Sequence, residues 1–336
     1  MMETVLNVGL TKETVVGLSK SSNTMRFAYD SYRRLIMMYA DVVMEKSIAH
    51  SINDTNGIRH QLEAFMDQYK SQNNYINDTD LTPDDLKFLC EKFKKIIKTN
   101  LGIEFPDDPK TQLWGAIKSV FYSWNGDRAK KYREIENISD RAGTAVNIQS
   151  MVFGNMGPGS ATGVAFTRNP SNGDNEFYGE WLENAQGEDV VAGIRTPNPL
   201  NNASRSNQSK ELRSLEESYP ELYKQLFDIK NLLEMHYKDM QDIEFTIENK
   251  NLWMLQTRNG KRNGISAIKI AFDLSGENVI DEKELLSRIS SNHLNEIMLP
   301  VIDVSQEKNE PVLTQGLPAG PGGASGQIVF TADDAQ

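Results

Sequence analysis

The sequence predicts an α+β protein, and three observations carry that prediction. Residues 242–258 alternate as two strands around a polar turn, several blocks repeat apolar residues at intervals of three and four, and glycine- or proline-rich breaks separate the two kinds of segment. The 336 residues are enough to bury a sizeable core and to form two or more domains.

The first hundred residues read as helical. Residues 1–20 carry Val5, Leu6, Val8 and Leu10 and then a helix-like stretch at 15–18. Over residues 26–46, Ala28, Tyr32, Leu35, Ile36, Tyr39, Val42 and Val43 recur at helical spacing, which puts Arg33 and Arg34 on a solvated side. A second helix is predicted over 56–69. Thr82-Pro83-Asp84-Asp85 supplies an N-cap, a proline at the first helical position and an acidic first turn for a third, ending near Lys98. Cys90 lies beside Phe88, Leu89 and Phe93 and reads as a core residue rather than a reactive thiol. His50 and His60 have no partner spacing and read as surface or cap residues.

Past the break Pro106-Asp107-Asp108-Pro109, Leu113, Ile117, Val120, Phe121 and Trp124 outline another helix. Residues 144–153 alternate as a strand, the glycine-rich GNMGPGSATG follows at 154–163, and strand character resumes at 164–167. Glycine lets backbone N–H groups approach phosphate oxygens closely, but a mobile hairpin loop would read the same way. The next strand, EFYGEWL, carries Glu180. Glu188 and Asp189 follow in NAQGEDVVAG, where a place beside a ligand and plain turn chemistry both fit.

Residues 201–218 are polar and read as an exposed insertion or linker. Ser218 and Glu221 look like a capping box for a long helix with the inward stripe Leu222, Leu226, Ile229, Leu233, His236 and Met240, so His236 reads as a core histidine. Helices over 267–274 and 282–289, and a polar connection holding His293, come after Arg262.

The stretch 242–258 carries the chemistry. Asp242 and Glu244 alternate with Ile243, Phe245 and Ile247 and therefore point one way, roughly 7 Å apart at strand rise. Gln256 and Arg258 share one face of the returning strand, with Trp253, Leu255 and Thr257 on the other. A three-residue turn, Asn249-Lys250-Asn251, would place Asp242, Glu244, Gln256 and Arg258 on one face, with Phe245 and Leu255 on the other; a two-residue turn would split them. Carboxylates suit magnesium, and a guanidinium fork suits phosphate oxygens. From spacing alone, a solvated hairpin face with ordinary charge pairs fits equally well.

Composition narrows the classes. A net charge of -11 argues against a nucleic-acid or anionic-membrane surface. One cysteine, no apolar run of membrane-spanning length and no basic-apolar leader predict a reducing, cytoplasmic setting, with an organelle also compatible.

QTRNGKR at 256–262, together with FAYDSYRR (27–34), GVAFTRNP (163–170), NAQGEDVVAG (184–193) and GLPAGPGGASG (316–326), strongly resembles the pyruvate, phosphate dikinase family over nearly the whole chain. The resemblance implies an ATP-grasp nucleotide-binding domain with a helical subdomain, followed by the start of a swivelling phosphohistidine domain. Its segments would be a remnant of the first subdomain at 1–20, the helical subdomain at 21–105, the nucleotide-binding region at 106–264, a helical linker at 265–310 and the phosphohistidine domain from 311. It also implies a stretch ahead of Met1 holding a glycine-rich loop, a lysine and an arginine for the triphosphate. ATP is the implied substrate and Mg2+ the implied cofactor, with Glu244 and Gln256 on the metal and Arg258 in catalysis.

Nucleotide contacts carry over onto Thr162, Gly163, Glu180, Asp242, Glu244, Gln256 and Arg258, and the adenine edge onto Gln149 and Met151. Pro158 and Gly159 stand where the family more often has Glu and Thr. Inorganic phosphate, the phosphohistidine domain, a pyruvate-binding barrel and a homodimeric full-length enzyme are the implied partners. A phosphoenolpyruvate synthase-like dikinase and a non-catalytic nucleotide-binding module are the rival readings.

Overall fold

The computed structural model describes residues 4–45, 57–136, 138–191, 196–205, 211–298 and 326–329. Two units, Met1–Met151 and Val152–Gln336, each have their own core. The division falls inside the region 106–264 that the resemblance treats as one.

The first unit is helical. Helix α1 (Thr14–Ser22) packs on α2 (Met25–Tyr39), which runs on as a π-helical turn, Ala40–Glu45. Helices α3 (Ile58–Gln72) and α4 (Pro83–Leu101) complete a core of Tyr32, Leu35, Ile36, Leu62, Leu86, Leu89, Phe93 and Ile97. Thr82 and Asp85 cap α4 reciprocally, and Gly102 ends it in the left-handed conformation at φ 72°. Cys90 is buried among these side chains, and burial pushes its thiol up to about 12, so it is inert packing.

Arg33 is not solvated as its helical position suggests. It is 3 % exposed and pairs with Asp30 at 2.7 Å. Burial alone would raise the Asp30 carboxyl, but Arg33 and Arg34 outweigh it and hold it at about 2. Helix α5 (Pro109–Ser123) also turns differently from the apolar pattern. Its buried residues are Gln112 and Ala116, while Phe121 is exposed. Gly115 sets that face, because a side chain there would collide with the Tyr39 hydroxyl. Helix α6 (Asp127–Ile135) follows, and residues 144–153 form no strand.

The second unit is an antiparallel five-stranded sheet in the order β3-β2-β1-β4-β5, built from β1 (Ala161–Phe166), β2 (Tyr178–Glu183), β3 (Asn198–Pro199), β4 (Gln241–Glu248) and β5 (Asn251–Asn259). A short helix, α7 (Gly187–Val191), touches β1 and β2. Between β3 and β4 come α8 (Leu215–Ser218) and α9 (Pro220–Tyr237), and Leu222 and Leu226 of α9 pack on Ala161, Ala165, Trp181, Ile243, Phe245 and Ile247.

The capping box predicted at Ser218 and Glu221 sits instead at Ser214 and Glu217, opening α8. Asn201, Ser214 and Leu215 are buried, so the polar segment 201–218 is anchored into the core at both ends. The inward side of α9 continues through Lys230 and Glu234 rather than His236, which is exposed beside Tyr237. The reason is Arg168, fully buried just past β1, which pairs with Glu234 at 2.8 Å and Glu277 at 2.6 Å.

Helices α10 (Gly264–Gly276) and α11 (Glu282–Arg288) pack Ile270, Leu274 and Leu285 around Met240 and Phe166. His293 lies in a further helix, α12 (Ser291–Ile297), where the sequence suggested a polar connection; Ser290 and His293 cap it reciprocally. His50 and nearly all of 311–336, where the resemblance places a phosphohistidine domain, lie outside the described residues.

Candidate functional site

The β4–β5 turn has two residues, not three. Asn249 and Lys250 both have positive φ, 48° and 63°, as a type I′ hairpin requires, and Asn251 is already paired with Glu248. A regular ladder beyond such a turn would put Leu255 opposite Glu244 and turn Gln256 and Arg258 toward the core. A bulge prevents it. Met254 lies opposite Phe245 and Gln256 opposite Glu244, which leaves Leu255 without a partner.

The bulge therefore brings Asp242, Glu244, Gln256 and Arg258 to one face, as direct cross-strand pairs Asp242/Arg258 and Glu244/Gln256. Met254, not Leu255, joins Phe245 in the core. Trp253 changes sides as well: it lies opposite Thr246, on the side of the charged residues.

Across four strands this face is ordered in rows. Tyr178, Phe166, Asp242 and Arg258 form one; Glu180, Val164, Glu244 and Gln256 the next; Leu182, Thr162, Thr246 and Trp253 the third. In the first row Arg258 Nε donates to Asp242 Oδ2 at 2.7 Å, and the guanidinium remains 59 % exposed above a carboxylate only 9 % exposed. In the second, burial raises the Glu180 carboxyl. Burial and then the charge of Glu180 raise the Tyr178 hydroxyl.

Thr162 belongs to the face by register, but it is 4 % exposed and donates to the Phe245 carbonyl at 3.3 Å. Gly163 lies on the opposite face, and its backbone sits in ladders on both sides. A Cβ there would come within 2.7 Å of the Glu180 carbonyl oxygen and 2.8 Å of Phe245 Cε1, so this glycine admits the Phe245 ring rather than facing a ligand. Gln149 and Met151 belong to the other unit, in irregular chain, Gln149 exposed and Met151 half-buried.

The glycine-rich segment is stitched to two turns. The Gly154 and Ser160 carbonyls accept from Ala185 and Asn184, the Gly159 carbonyl accepts from Lys250 at 2.8 Å, and Gly157 N–H donates to Asn184 Oδ1 at 3.1 Å. Gly157 and Gly159 hold φ of 118° and 81°. Residues 154–160 thus sit at the Ala161 end of β1, whereas Arg258 lies level with Phe166, roughly 17 Å away along the strand. Asp189 Oδ2 accepts from the Gln186 N–H at 2.8 Å, one of the two roles its sequence position allows. Beyond β5, Arg262 grips Asp239 through both nitrogens at 2.7 and 2.8 Å, fixing the strand end.

Among the described residues no group of three or more His, Cys, Asp or Glu side chains forms a metal cluster. Glu244 and Gln256, directly opposed, present a carboxylate and a side-chain amide, whose oxygens are donors of the hard kind that magnesium takes. No helix among the described residues is long and apolar enough to cross a membrane.

A family model described as "Pyruvate phosphate dikinase, AMP/ATP-binding domain" matches residues 1–218 and 200–275. Curated relatives align over the entire chain. A pyruvate, phosphate dikinase of Rhizobium meliloti (strain 1021) is 48 % identical over 336 residues, 36 % of its own length. That of Clostridium symbiosum is 48 % identical over 337, again 36 % of its length, and a chloroplastic one of Flaveria trinervia 48 % over 336, 33 % of its length. The chain spans about a third of the length of these relatives.

Proposed function

This chain belongs to the pyruvate phosphate dikinase AMP/ATP-binding domain family, and from that premise we propose that the bulged β4–β5 face holds the phosphates of ATP. The observation that carries the reading is the bulge at Leu255, which sets two carboxylates, an amide and a guanidinium on one face, with Gln256 and Arg258 exposed. Such a bulge is a local departure from the regular ladder of the kind found beside active sites.

Arg258, oriented by Asp242, presents its guanidinium to phosphate oxygens and stabilises charge that develops in transfer. Glu244 and Gln256 would hold magnesium, which when bound neutralises phosphate charge. Glu180 borders the same floor, where burial raises its carboxyl and an approaching cation would favour its charged form. None of these groups forms a covalent intermediate; they position and stabilise.

At the level of the whole protein, the proposed reaction takes ATP, inorganic phosphate and pyruvate to AMP, diphosphate and phosphoenolpyruvate through a histidine beyond residues 1–336. The antiparallel sheet flanked by helices is compatible with an ATP-grasp domain, and a swivelling phosphohistidine domain, a pyruvate-binding barrel and a homodimeric assembly complete the proposal. The family match favours this over a phosphoenolpyruvate synthase or a non-catalytic module.

Calorimetric titration of ATP into the chain, with and without magnesium, tests the reading. Binding that strengthens with magnesium and collapses in Arg258→Ala is expected. Absence of binding, or indifference to Arg258→Ala, overturns it.

A further inference from the structure

Among the described residues, Trp253 is the only strand residue whose large apolar side chain stays exposed, at 50 %. Its neighbours along the same row do not share that exposure. Leu182, Thr162 and Thr246 are 1 %, 4 % and 3 % exposed, so the row is closed over until it reaches the edge strand. The indole thus stands at the open rim of the face that carries Glu244, Gln256 and Arg258.

The three rows form a gradient of polarity. A guanidinium and carboxylate lie at one end, a carboxylate and amide in the middle, and an indole at the other. From Asp242 to Thr246 is four residues of strand, roughly 13 Å. A ligand that suits this face is anionic at one end and flat and apolar at the other. An edge-strand tryptophan serving the fold alone would be covered by the core or by a neighbouring ring, yet Trp253 packs in neither the α9 core nor any aromatic pair among the described residues.

We infer that Trp253 is the stacking platform for the nucleoside end of the nucleotide, and that it sets the direction in which the nucleotide lies, phosphates toward Arg258 and base toward the β4–β5 turn. This rests on the reading that the face binds ATP and adds to it a contact of a different chemistry. Stacking on an indole favours any base over none, because every base has a π face. Trp253 therefore supplies affinity for a nucleoside rather than a choice among bases.

The test uses two probes on the chain: ATP and inorganic tripolyphosphate, each with magnesium, titrated by calorimetry into wild type, Trp253→Ala, Trp253→Phe and Arg258→Ala. Trp253→Ala is expected to weaken ATP binding about tenfold and to leave tripolyphosphate binding unchanged, while Trp253→Phe keeps most of the ATP affinity and Arg258→Ala weakens both ligands. Quenching of tryptophan emission by ATP should shrink in Trp253→Phe. Unchanged ATP affinity in Trp253→Ala, or equal losses for ATP and tripolyphosphate, overturns the inference and leaves the phosphate site standing. Failure of the wild-type chain to bind either probe overturns both.

Discussion

Glu244 faces Gln256 across the β4–β5 ladder because Leu255, between Met254 and Gln256, is passed over. One unpaired residue therefore decides which side of the sheet the site lies on. Deleting Leu255 should straighten the ladder without changing any other pair, so Gln256 stays opposite Glu244 and Arg258 opposite Asp242. Deleting Thr257 should turn Arg258 toward the core. ATP titration of the two deletions should show binding retained in the first and abolished in the second. Equal loss in both would mean the bulge geometry itself, beyond register, is required.

Much of this was legible beforehand, and the misses share a cause. The alternation of β4 and the Thr82–Asp85 cap follow from local sequence and appear as expected. The shared face of Asp242, Glu244, Gln256 and Arg258 was expected too, but from a three-residue turn; it comes from a two-residue turn corrected by a bulge. Nothing in periodicity marks Leu255 as unpaired. Arg33, Lys230 and Glu234 were hidden for a related reason. A buried charge is set by its partners rather than by the apolar repeat: Glu234 meets Arg168, distant in sequence, and Arg33 meets Asp30 on its own helix.

Gly163 should prove to be a packing residue. Gly163→Ala is expected to destabilise the sheet unit by about 1–3 kcal/mol through overpacking against the Phe245 ring and the Glu180 carbonyl. Phe245→Leu in the same chain should recover part of the loss, since the ring can be trimmed but the backbone oxygen cannot. Thermal unfolding of the single and double variants checks this. A Gly163→Ala chain that unfolds normally but binds ATP poorly would instead restore Gly163 to the ligand site.

Glu180 carries a pH signature. Its folded carboxyl is raised by burial, so the unfolded chain releases that proton first. The sign is then fixed: stability falls as pH rises from the ordinary glutamate range through the raised value. Glu180→Gln should accordingly raise the melting temperature at neutral pH and lose that advantage near pH 4. Thermal melts across pH show the effect. An advantage that persists unchanged at acid pH would assign it to packing rather than charge.

Arg258 gives the sharpest distinction between binding and fold. Its bond to Asp242 uses Nε, and the exposed guanidinium plane is what an ammonium cannot imitate, so Arg258→Lys should not rescue Arg258→Ala. Arg258 is largely exposed but Asp242 beneath it is buried, so Arg258→Ala should also lower the melting temperature, and Arg258→Lys should lower it less. In a full-length enzyme carrying this sequence, either change should slow the ATP and phosphate half-reaction about 10²- to 10³-fold. Phosphorylation of pyruvate from preformed phosphohistidine should proceed unimpaired, since that step is proposed to use a separate barrel. Assaying the two half-reactions apart decides it. Equal damage to both would make Arg258 a support of the fold, and intact ATP chemistry would remove it from the site.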